Sequence, residues 1–449
     1  MKYAAQEVNH KAQNWLGALP DGWATKRLKY ISTINDEALP ETTDPDYEML
    51  YVDIGSVDAT EGIQKKEPMM FETAPSRARR VVQDGDTIVS TVRTYLRAVS
   101  PIRNPEQNLI VSTGFAVIRP KGIDPHYLAY SLRSSYFIET VVSRSVGVSY
   151  PATNPTDVSC IELPLPPLDE QQNIARFLDA KTAQIDALVA QKRQLIDKLR
   201  EKRQALIART VTRGLPPEAA KAAGLEPNPE MTDSGEDWIG AVPSTWCVVP
   251  LKRRARFVEG PGIMASDFMD EGVPLIRISG VQGKYASLNG ANYLDPELVS
   301  ERWAHFKTKI GDLLISGSAS TGLCSEVDEA TVGCVPYTGI IIIRAIKNRA
   351  CNAFLRWYFQ SDQFLSQVQL MKAGSTIQHF GPTHLARMTI ALPLDVVEQE
   401  AIAAFLDKAT SEVDSMTAAV EAAIDRLAEY RQALITSAVT GKIDVRELA

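Results

Sequence analysis

The segments EKRQALIARTVTRGL (201–215) and EYRQALITSAVTGKI (429–443) decide the fold, because they are two copies of one pattern. Five consecutive letters, RQALI, are shared, and a Val-Thr pair follows at the same offset in both copies. The copies lie 228 positions apart. We therefore expect an internal duplication and not merely two helices of similar composition.

The length and composition are those of a globular protein with more than one domain. A chain of 449 residues is longer than a single hydrophobic core normally supports. Hydrophobic residues make up 45% and charged residues 23%, and no apolar run reaches the ~18 residues that span a bilayer. Five cysteines are scattered without a Cys-x-x-Cys spacing. These features predict a soluble cytoplasmic protein with no membrane partner, disulfide framework or zinc site.

The charge is spread unevenly along the chain. The net charge of −7 does not by itself favour a nucleic-acid partner. Residues 73–149, however, hold ten Lys or Arg against five Asp or Glu. Because phosphate contact depends on local charge, this stretch keeps nucleic-acid binding open.

The duplication extends over the whole chain. The offset between matching segments drifts only from 223 to 229, as loop insertions would produce, so each half is one repeat of about 200 residues. The matching segments are Trp15-Leu16-Gly17 with Trp238-Ile239-Gly240, Gly85-Asp86 with Gly311-Asp312, Thr113-Gly114 with Thr338-Gly339, Leu163-Pro164-Leu165 with Leu392-Pro393-Leu394, and Phe177-Leu178-Asp179 with Phe405-Leu406-Asp407.

Each repeat begins as a mixed α/β segment and ends as one long helix. Short strand-like runs such as 87–90 and 115–118 are broken by Gly, Pro, Asn and Asp, and a helical pattern without Pro or Gly follows over 168–213. Apolar residues there and in 396–441 recur at steps of three and four, which is typical of a coiled-coil seam. The predicted helix–helix interface consists of Ile174, Leu178, Ile185, Leu188, Leu195, Leu199, Leu206, Ile402, Leu406, Val413, Met416, Val420, Leu427 and Leu434.

The two long helices are predicted to pair with each other. Residues 169–212 carry nine basic and six acidic side chains, and residues 397–440 carry three basic and eight acidic ones. Opposite net charges favour this pairing over pairing of like with like. The expected fold class is α/β, with two similar α/β domains joined by two long antiparallel coiled-coil helices in a pseudo-twofold tandem repeat.

The domain boundaries follow from these patterns. Four prolines within the fourteen residues 216–229 predict an extended linker rather than a helix. The predicted segments are a first domain 1–167, a first long helix 168–213, a Pro-rich linker 214–236, a second domain 237–395, a second long helix 396–441 and a C-terminal tail 442–449.

Sequence motifs of catalysis and of metal or cofactor binding are not found. The chain has no His-Glu-x-x-His, Gly-x-Gly-x-x-Gly, P-loop or Gly-x-Ser-x-Gly pattern, and its five histidines lack metal-ligand spacing. Asn154-Pro155-Thr156 is not the Asn/Asp-Pro-Pro-aromatic signature of amino-methyltransferases. We therefore predict a non-catalytic protein without a metal or a cofactor of its own.

Polar loops in matching places of the two repeats fit nucleic-acid recognition better. One loop follows each Gly-Asp strand, another lies near the end of each α/β segment, and basic clusters lie at 77–80 and 252–254. Arg, Gln, Ser and Thr supply donors that reach base edges and phosphates, although any one of them alone fits a solvated surface residue equally well. The candidate DNA-binding residues are Arg77, Arg79, Arg80, Arg93, Tyr95, Arg97, Arg144, Ser145, Ser149, Tyr150, Lys252, Arg253, Arg254, Ser318, Ser320, Thr321, Lys372, Ser375, Thr376, Gln378 and His379.

Together these residues resemble the specificity subunit of type I restriction-modification enzymes over essentially the full length. The resemblance rests on Trp-Leu-Gly-x-Leu-Pro-x-x-Trp at 15–23, the Gly-Asp-x-x-Ile/Val-Ser strand, Leu-Pro-Leu-Pro-Pro-Leu-Asp-Glu-Gln at 163–171 and Glu-Lys-Arg-Gln-Ala-Leu-Ile at 201–207. The second copy departs from the pattern at 392–399, which reads Leu-Pro-Leu-Asp-Val-Val-Glu-Gln and lacks the double proline.

The resemblance implies a function in DNA recognition. Residues 1–167 and 237–395 would be target-recognition domains, each reading one half of a bipartite site in double-stranded DNA. The long helices would dock two methyltransferase (modification) subunits, and restriction/translocase subunits would join this core in a host-defence system. S-adenosylmethionine, ATP and Mg are then expected on the partner subunits and not on this chain.

Two other functions stay open from the residues alone. A non-catalytic coiled-coil adaptor whose α/β domains bind protein partners has the same periodicity, and salt-dependent, sequence-selective DNA affinity would exclude it. An enzyme with an unfamiliar active site, such as a nuclease, would show metal-dependent cleavage by the purified chain.

Overall fold

The computed structural model describes residues 16–317, 323–373 and 381–447. The chain divides into two compact units, of which the first is discontinuous in sequence. Unit 1 consists of Met1–Arg193 and Val420–Ala449, and unit 2 consists of Gln194–Ala419. Each unit therefore holds one α/β domain, the beginning of one long helix and the end of the other.

Unit 1 is built on two four-stranded sheets, with strand orders β6-β3-β10-β7 and β2-β11-β8-β9, and on the pairs β1-β12 and β4-β5. Its strands are β1 (Ala24–Arg27), β2 (Ser32–Ile34), β3 (Glu48–Val52), β4 (Val57–Asp58), β5 (Gly62–Ile63), β6 (Glu67–Met70), β7 (Ala78–Val81), β8 (Thr87–Ser90), β9 (Val99–Pro101), β10 (Leu109–Ser112), β11 (Phe115–Pro120) and β12 (Glu162–Leu165). Its helices are α1 (Pro125–Arg133), α2 (Ser135–Ser143), α3 (Pro155–Ser159) and the first part of α4 (Leu168–Arg213).

Unit 2 repeats the sheet β2-β11-β8-β9 as β16-β23-β20-β21 and the pair β1-β12 as β15-β24, and it also contains the sheet β17-β19-β18-β22 and the pair β13-β14. Its strands are β13 (Met231–Asp233), β14 (Ala241–Pro243), β15 (Trp246–Pro250), β16 (Ala255–Glu259), β17 (Phe268–Met269), β18 (Val273–Ile276), β19 (Asn292–Leu294), β20 (Leu313–Ser316), β21 (Cys324–Glu326), β22 (Val335–Pro336), β23 (Ile340–Ala345) and β24 (Thr389–Pro393). After the end of α4, its helices are α5 (Pro217–Ala222), α6 (Pro296–Leu298), α7 (Asn352–Phe359), α8 (Asp362–Ala373), α9 (Pro382–Arg387) and the first part of α10 (Val396–Val439).

The repeated Gly-Asp motif joins two strands of a sheet in each unit. The buried Asp86 accepts two hydrogen bonds from Arg119, at 3.0 Å from Nε and 2.9 Å from Nη2. Asp312 accepts the same pair from Arg344, at 2.9 Å and 2.8 Å. Bidentate charge-assisted pairs of this kind are geometrically specific, so the motif fixes the sheet and is not a contact surface.

Within unit 1 the segments of the two long helices run antiparallel. The backbone carbonyl of Val439, at the end of α10, accepts a hydrogen bond from the Tyr127 hydroxyl at 3.2 Å. The same hydroxyl lies 3.0 Å from the carbonyl of Pro164, just before the start of α4. Further along, Arg431 of α10 pairs with Asp186 of α4 at 3.0 Å. Residue numbers therefore fall along one helix as they rise along the other.

Unit 2 contains the matching ion pair. Arg203 of α4 lies 2.9 Å from Asp414 of α10. Asp186 and Asp414 are 228 positions apart, as are Arg203 and Arg431. The duplication therefore places the same Asp–Arg pair in both units, and each pair links the two long helices within its unit.

Each of the two RQALI segments contributes a buried side chain to the hydrophobic core of one domain. Ile435 is fully buried in the core of unit 1 beside Leu178 and Phe137, although it follows the second domain in sequence. Ile207 is fully buried in the core of unit 2 beside Phe354, although it follows the first domain. The end of each long helix therefore packs on the α/β domain of the other repeat.

A glutamine in each RQALI segment fastens this packing. Gln432 donates from Nε2 to the carbonyl of Arg133 at 2.8 Å, where α1 meets α2. Gln204 donates to the carbonyl of Gln360 at 3.3 Å, where α7 meets α8. Carbonyls at the end of a helix lack partners within the helix, so a side-chain amide is well suited to bind them.

Three of the predicted interface residues do not lie in the buried seam. The side chains of Leu188, Leu195 and Met416 are 41%, 44% and 53% exposed. Between 182 and 203 of α4 the buried or half-buried positions are 182, 185, 189, 192, 196, 199 and 203, a regular alternation of steps of three and four. The regular steps therefore include Thr182, Lys192 and Arg203, whereas Leu188 is exposed but lines the same cavity as Leu427 and Leu434 of α10.

The other predicted interface residues divide into two groups. Ile174 and Leu178 belong to the core of the first domain, and Ile402 and Leu406 belong to the core of the second. The remaining residues are buried or half-buried along the helices, and they are Ile185, Leu199, Leu206, Val413, Val420, Leu427 and Leu434. The long helices thus begin as parts of their own domains before they pair.

The linker contains a helix that the prolines did not predict. Helix α5 (Pro217–Ala222) begins directly after Pro216, and β13 pairs with β14 further on. Proline is tolerated in the first turn of a helix, and the following Glu-Ala-Ala-Lys-Ala has a high helix propensity. Among the described residues, no helix combines the length and the apolar character needed to cross a membrane.

Candidate nucleic-acid interface

Two loops of unit 1 form one continuous surface. Loop A (residues 91–97) follows β8, and loop B (residues 144–153) follows α2. The Thr94 hydroxyl donates to Ser145 Oγ at 2.8 Å, and the Thr153 amide donates to the Thr91 carbonyl at 2.8 Å. The structure therefore brings together a group of candidates that lie some 50 positions apart, namely Arg93, Tyr95, Arg97, Arg144, Ser145, Ser149 and Tyr150.

Loop A is held in an unusual backbone conformation. Arg93 and Arg97 have φ angles of +52° and +54°, on either side of a 3₁₀ turn at Thr94–Leu96. This left-handed region is unfavourable for residues with a side chain, and such strain is typical of functional sites. Thr94 is buried between the two arginines and anchors the loop, so both arginines project from a fixed turn.

The guanidinium of Arg93 stacks on a tyrosine of this surface, and its N–H groups are not used in hydrogen bonds to other described residues. Its guanidinium carbon lies 5.2 Å from the centre of the Tyr150 ring, which is itself 66% exposed. The guanidinium makes no hydrogen bond or ion pair with any described residue. Tyr95 is also exposed in the same loop, and Ser149 lies at the exposed tip of loop B.

Arg97 and Arg144 are already engaged within the domain. Arg97 pairs with Glu139 of α2 at 2.6 Å. Arg144 donates from Nη1 to the carbonyl of Asp157 at 2.6 Å. Both arginines therefore support the loops, and a DNA contact by either would require breaking a charge-assisted hydrogen bond.

Arg77 is connected to loop A through the backbone. The Arg77 carbonyl accepts a hydrogen bond from the Thr113 amide at 2.8 Å. The residue after Thr113 is Gly114, and its carbonyl accepts a hydrogen bond from the Thr91 amide of loop A at 2.8 Å. A β-carbon on Gly114 would lie 2.5 Å from the Ile54 side chain, so this approach requires glycine. The exposed Arg77 side chain precedes β7 beside this junction.

The two neighbouring arginines are less available. Arg79 lies over the Phe71 ring at 4.4 Å and donates to the carbonyl of Ala78. Arg80 is half-buried, its Nε has no hydrogen-bond partner among the described residues, and burial lowers its pKa. Only Arg77 of this cluster is presented fully to solvent.

The basic cluster of unit 2 lies away from its loops. Lys252 and Arg253 are exposed on a 3₁₀ turn at the start of β16. Arg254 donates to Cys247 Sγ at 2.7 Å and is half-buried. Gly260, at the other end of β16, donates to the carbonyl of Ile340, next to the loop that follows β20. The structure therefore does not bring this cluster to the loops.

In unit 2 the structure describes only the residues that flank the two predicted loops. Gly317, before one loop, donates to the carbonyl of Gly339 at 2.7 Å. A β-carbon on Gly381, which follows the other segment, would lie 3.7 Å from Glu259 Oε2, so Gly317 and Gly381 both lie near one end of β16 and β23. The candidates outside the described residues are Ser318, Ser320, Thr321, Ser375, Thr376, Gln378 and His379, together with the side chain of Lys372 in α8.

Sequence analysis missed a stacked arginine in unit 2. The guanidinium carbon of Arg277 lies 4.2 Å from the centre of the Tyr337 ring and 5.8 Å from that of Phe268. Tyr337 is two residues from Gly339, which anchors the loop after β20. The three side chains are separated by up to 69 positions in sequence, and no spacing rule connects them.

Metal-ligating and nucleophilic groups are sparse in the part of the chain that the structure describes. No cluster of three or more His, Cys, Asp or Glu side chains lies close enough there to hold a metal ion. All five cysteines are unpaired. Burial raises the pKa of the Cys324 thiol to about 12 and that of Cys334 to about 11, so both are protonated at neutral pH.

Known proteins with similar sequences are specificity subunits. The domain family described as type I restriction modification DNA specificity domain matches residues 20–198. The MjaVIII specificity subunit of Methanocaldococcus jannaschii is 24% identical over 336 residues, covering 73% of this chain and 72% of that protein. The EcoKI specificity subunit of Escherichia coli strain K12 is 22% identical over 450 residues, covering 95% and 90%.

Solved structures share the fold. One similar chain comes from a structural study of complex assembly and conformational transition of the type I R-M system. It matches with a TM-score of 0.71 at 23% identity, and the match covers 95% of this chain and 100% of that chain. The HsdS subunit of Thermoanaerobacter tengcongensis matches with a TM-score of 0.52 at 24% identity, covering 95% and 98%. The predicted fold class is therefore confirmed.

The duplicated domains, the paired loops and the relatives lead to one assignment. The sequence matches run over nearly the whole of the EcoKI subunit, and the resemblance found in the residues names the same proteins. Residues 20–198 match the type I restriction modification DNA specificity domain, and the relatives that match most of this chain are type I restriction enzyme specificity subunits.

Proposed function

We propose that this chain selects a bipartite site in double-stranded DNA, with residues 1–167 reading one half and residues 237–395 reading the other. The observation that carries the proposal is the pair of loops at the same end of two equivalent sheets. The strands and the Asp–Arg pairs beneath the loops are repeated, whereas the loop residues differ. A repeated support with different contact residues suits two different half-sites.

The long helices, predicted at 168–213 and 396–441, are proposed to dock the methyltransferase subunits and to space the two half-sites. Leu188, Leu195, Met416 and Tyr430 are exposed on them, and exposed apolar side chains of this size favour a protein partner. Restriction subunits would join this core. The chain itself would then be non-catalytic, with S-adenosylmethionine, ATP and Mg bound by the partners. Five unpaired cysteines suit a cytoplasmic complex.

The test is single-molecule sequencing of DNA from a methylation-free host that expresses this chain with its neighbouring methyltransferase. We expect a split motif with modified adenine on both strands. A host expressing the methyltransferase alone is the matched control and should show no such motif. An unmodified genome, despite a stable complex of the two proteins, would favour the coiled-coil adaptor instead.

A further inference from the structure

Each unit presents one arginine that is stacked on a tyrosine beside the recognition loops. In unit 1 Arg93 lies over Tyr150, and in unit 2 Arg277 lies over Tyr337, at 5.2 Å and 4.2 Å from the ring centres. Tyr150 belongs to loop B, and Tyr337 belongs to the turn that anchors the loop after β20. Each stacked arginine therefore lies on a tyrosine that belongs to, or directly precedes, an anchor of a predicted loop.

Stacking orients a guanidinium without using its hydrogen-bond donors. An arginine has five N–H donors in one plane, and an aromatic ring attracts the face of that plane. Neither stacked arginine makes a hydrogen bond or an ion pair with another residue that the structure describes. Arg119 and Arg344, by contrast, give their donors to the buried carboxylates beneath the loops.

The stacked arginines are not copies of each other. By the offset of the Gly-Asp strands, Arg93 corresponds to Ala319. By the offset of β3 and β18, Arg277 corresponds to Asp53, and both of these residues precede a 3₁₀ turn. The repeat therefore preserves the sheets and the anchors, while each domain obtains its free arginine from a different strand end.

We propose that Arg93 and Arg277 each read a guanine, Arg93 in one half-site and Arg277 in the other. A guanidinium edge donates two parallel hydrogen bonds to O6 and N7 of guanine in the major groove, and this is the commonest specific contact between arginine and DNA. The tyrosine face holds the guanidinium flat and ready for this geometry. The inference rests on the proposed function, since it needs one half-site per domain.

The competing contact is with a phosphate, and it predicts different behaviour. If the arginine contacts a phosphate, removing the arginine should weaken binding to all sequences alike and reduce the salt dependence of binding. If the arginine contacts a guanine, removing the arginine should weaken binding to the recognised site alone, and the complex should no longer distinguish the bases at that position.

The experiment uses the complex of this chain with its methyltransferase subunits and short duplexes that carry the recognised site. Each guanine is replaced in turn by 7-deazaguanine, which lacks the N7 acceptor. We expect one position in each half-site to weaken binding about tenfold or more, as the loss of a hydrogen bond to a charged group does. Arg93→Ala should weaken binding of the natural duplex roughly 5- to 150-fold and abolish the response at one position only.

Matched variants separate the outcomes. Arg277→Ala should abolish the response in the other half-site, and Arg302→Ala, at an exposed arginine that is not among the candidate DNA-binding residues, should keep both responses. Arg93→Met keeps much of the side-chain length but has no hydrogen-bond donor, and it should lose the same response as Arg93→Ala even if the alanine variant assembles poorly.

Two results would overturn the inference. One is an Arg93→Ala complex that still responds to every 7-deazaguanine as the unaltered complex does. The other is an equal loss of affinity for recognised and unrelated duplexes, which indicates a phosphate contact. A complex without any sequence preference would instead refute the proposed function, and with it this inference.

Discussion

Replacing Ile435 by Ala should loosen the first domain, although Ile435 follows the second domain in sequence. The Ile435 side chain is fully buried in unit 1, where it packs in the same core as Phe137 and Leu178. Its counterpart Ile207 is fully buried in the core of unit 2 beside Phe354. Ile207→Ala should therefore loosen the second domain.

The expected magnitude follows from the atoms removed. Isoleucine has three more side-chain carbons than alanine, and each buried carbon is worth ~0.8 kcal/mol, which gives ~2.4 kcal/mol for transfer alone. The cavity that remains brings the typical cost to about 2–5 kcal/mol. Amides that exchange through opening of the affected unit should then exchange roughly 100-fold faster, since 1.4 kcal/mol corresponds to about a factor of ten.

Hydrogen exchange measured by mass spectrometry on the full chain locates the effect. In Ile435→Ala, peptides from α1 and α2 should exchange faster and peptides from α7 and α8 should not, and Ile207→Ala should show the reverse. Glu429→Ala and Glu201→Ala, at exposed matching positions of the same helices, are the controls. Faster exchange of α7 and α8 in Ile435→Ala, equal to that of α1 and α2, would refute the reasoning.

Three further predictions concern the helices. A double-mutant cycle of Asp186→Ala and Arg431→Ala should give a coupling of ~1 kcal/mol in urea unfolding, because Arg431 is 9% and Asp186 is 53% exposed, and a coupling of zero would contradict this. Burial raises the pKa of the Glu398 carboxyl above its ordinary value of 4.5. The free energy of unfolding should therefore decrease as the pH rises from 4.5 through the raised pKa, because the carboxyl ionises more easily in the unfolded chain. Glu398→Gln should therefore be more stable than the unaltered protein at pH 7.5 and lose that advantage near pH 4.5, as urea unfolding at both pH values would show. Leu195→Gln should lower the free energy of unfolding by less than ~0.5 kcal/mol, and Ile196→Gln should lower it by more than ~1.5 kcal/mol. A larger effect of Leu195→Gln would instead support the interface that the leucines predicted.

The sequence determined the duplication and the fold class, because both are written in local patterns. A stretch without Pro or Gly and with apolar residues at steps of three and four forms a helix wherever it lies, and α4 (Leu168–Arg213) is such a stretch. The buried Asp86 and Asp312 were visible as a repeated motif, although their role in binding Arg119 and Arg344 was not. The placement of the two loops at matching positions was also visible.

Local patterns failed where the chemistry of a residue and its position disagree. Thr182 is buried and Leu188 is 41% exposed on the same helix, because burial along a helix is set by the helical phase and not by side-chain type. Helix α5 forms despite the flanking prolines, since a proline costs little in the first turn. Arg97 and Arg93 look alike in sequence, but Glu139 engages only Arg97.

The tertiary structure alone decided which domain each helix end completes and which arginines remain free. The two nearly identical RQALI segments do not by their own letters show which domain each one contacts. In the structure α4 is continuous over 46 residues, and Ile207 near its end is buried in the core of unit 2. The stack of Arg277 on Tyr337 likewise joins strand ends 60 positions apart, and such contacts depend on sheet order rather than on sequence spacing.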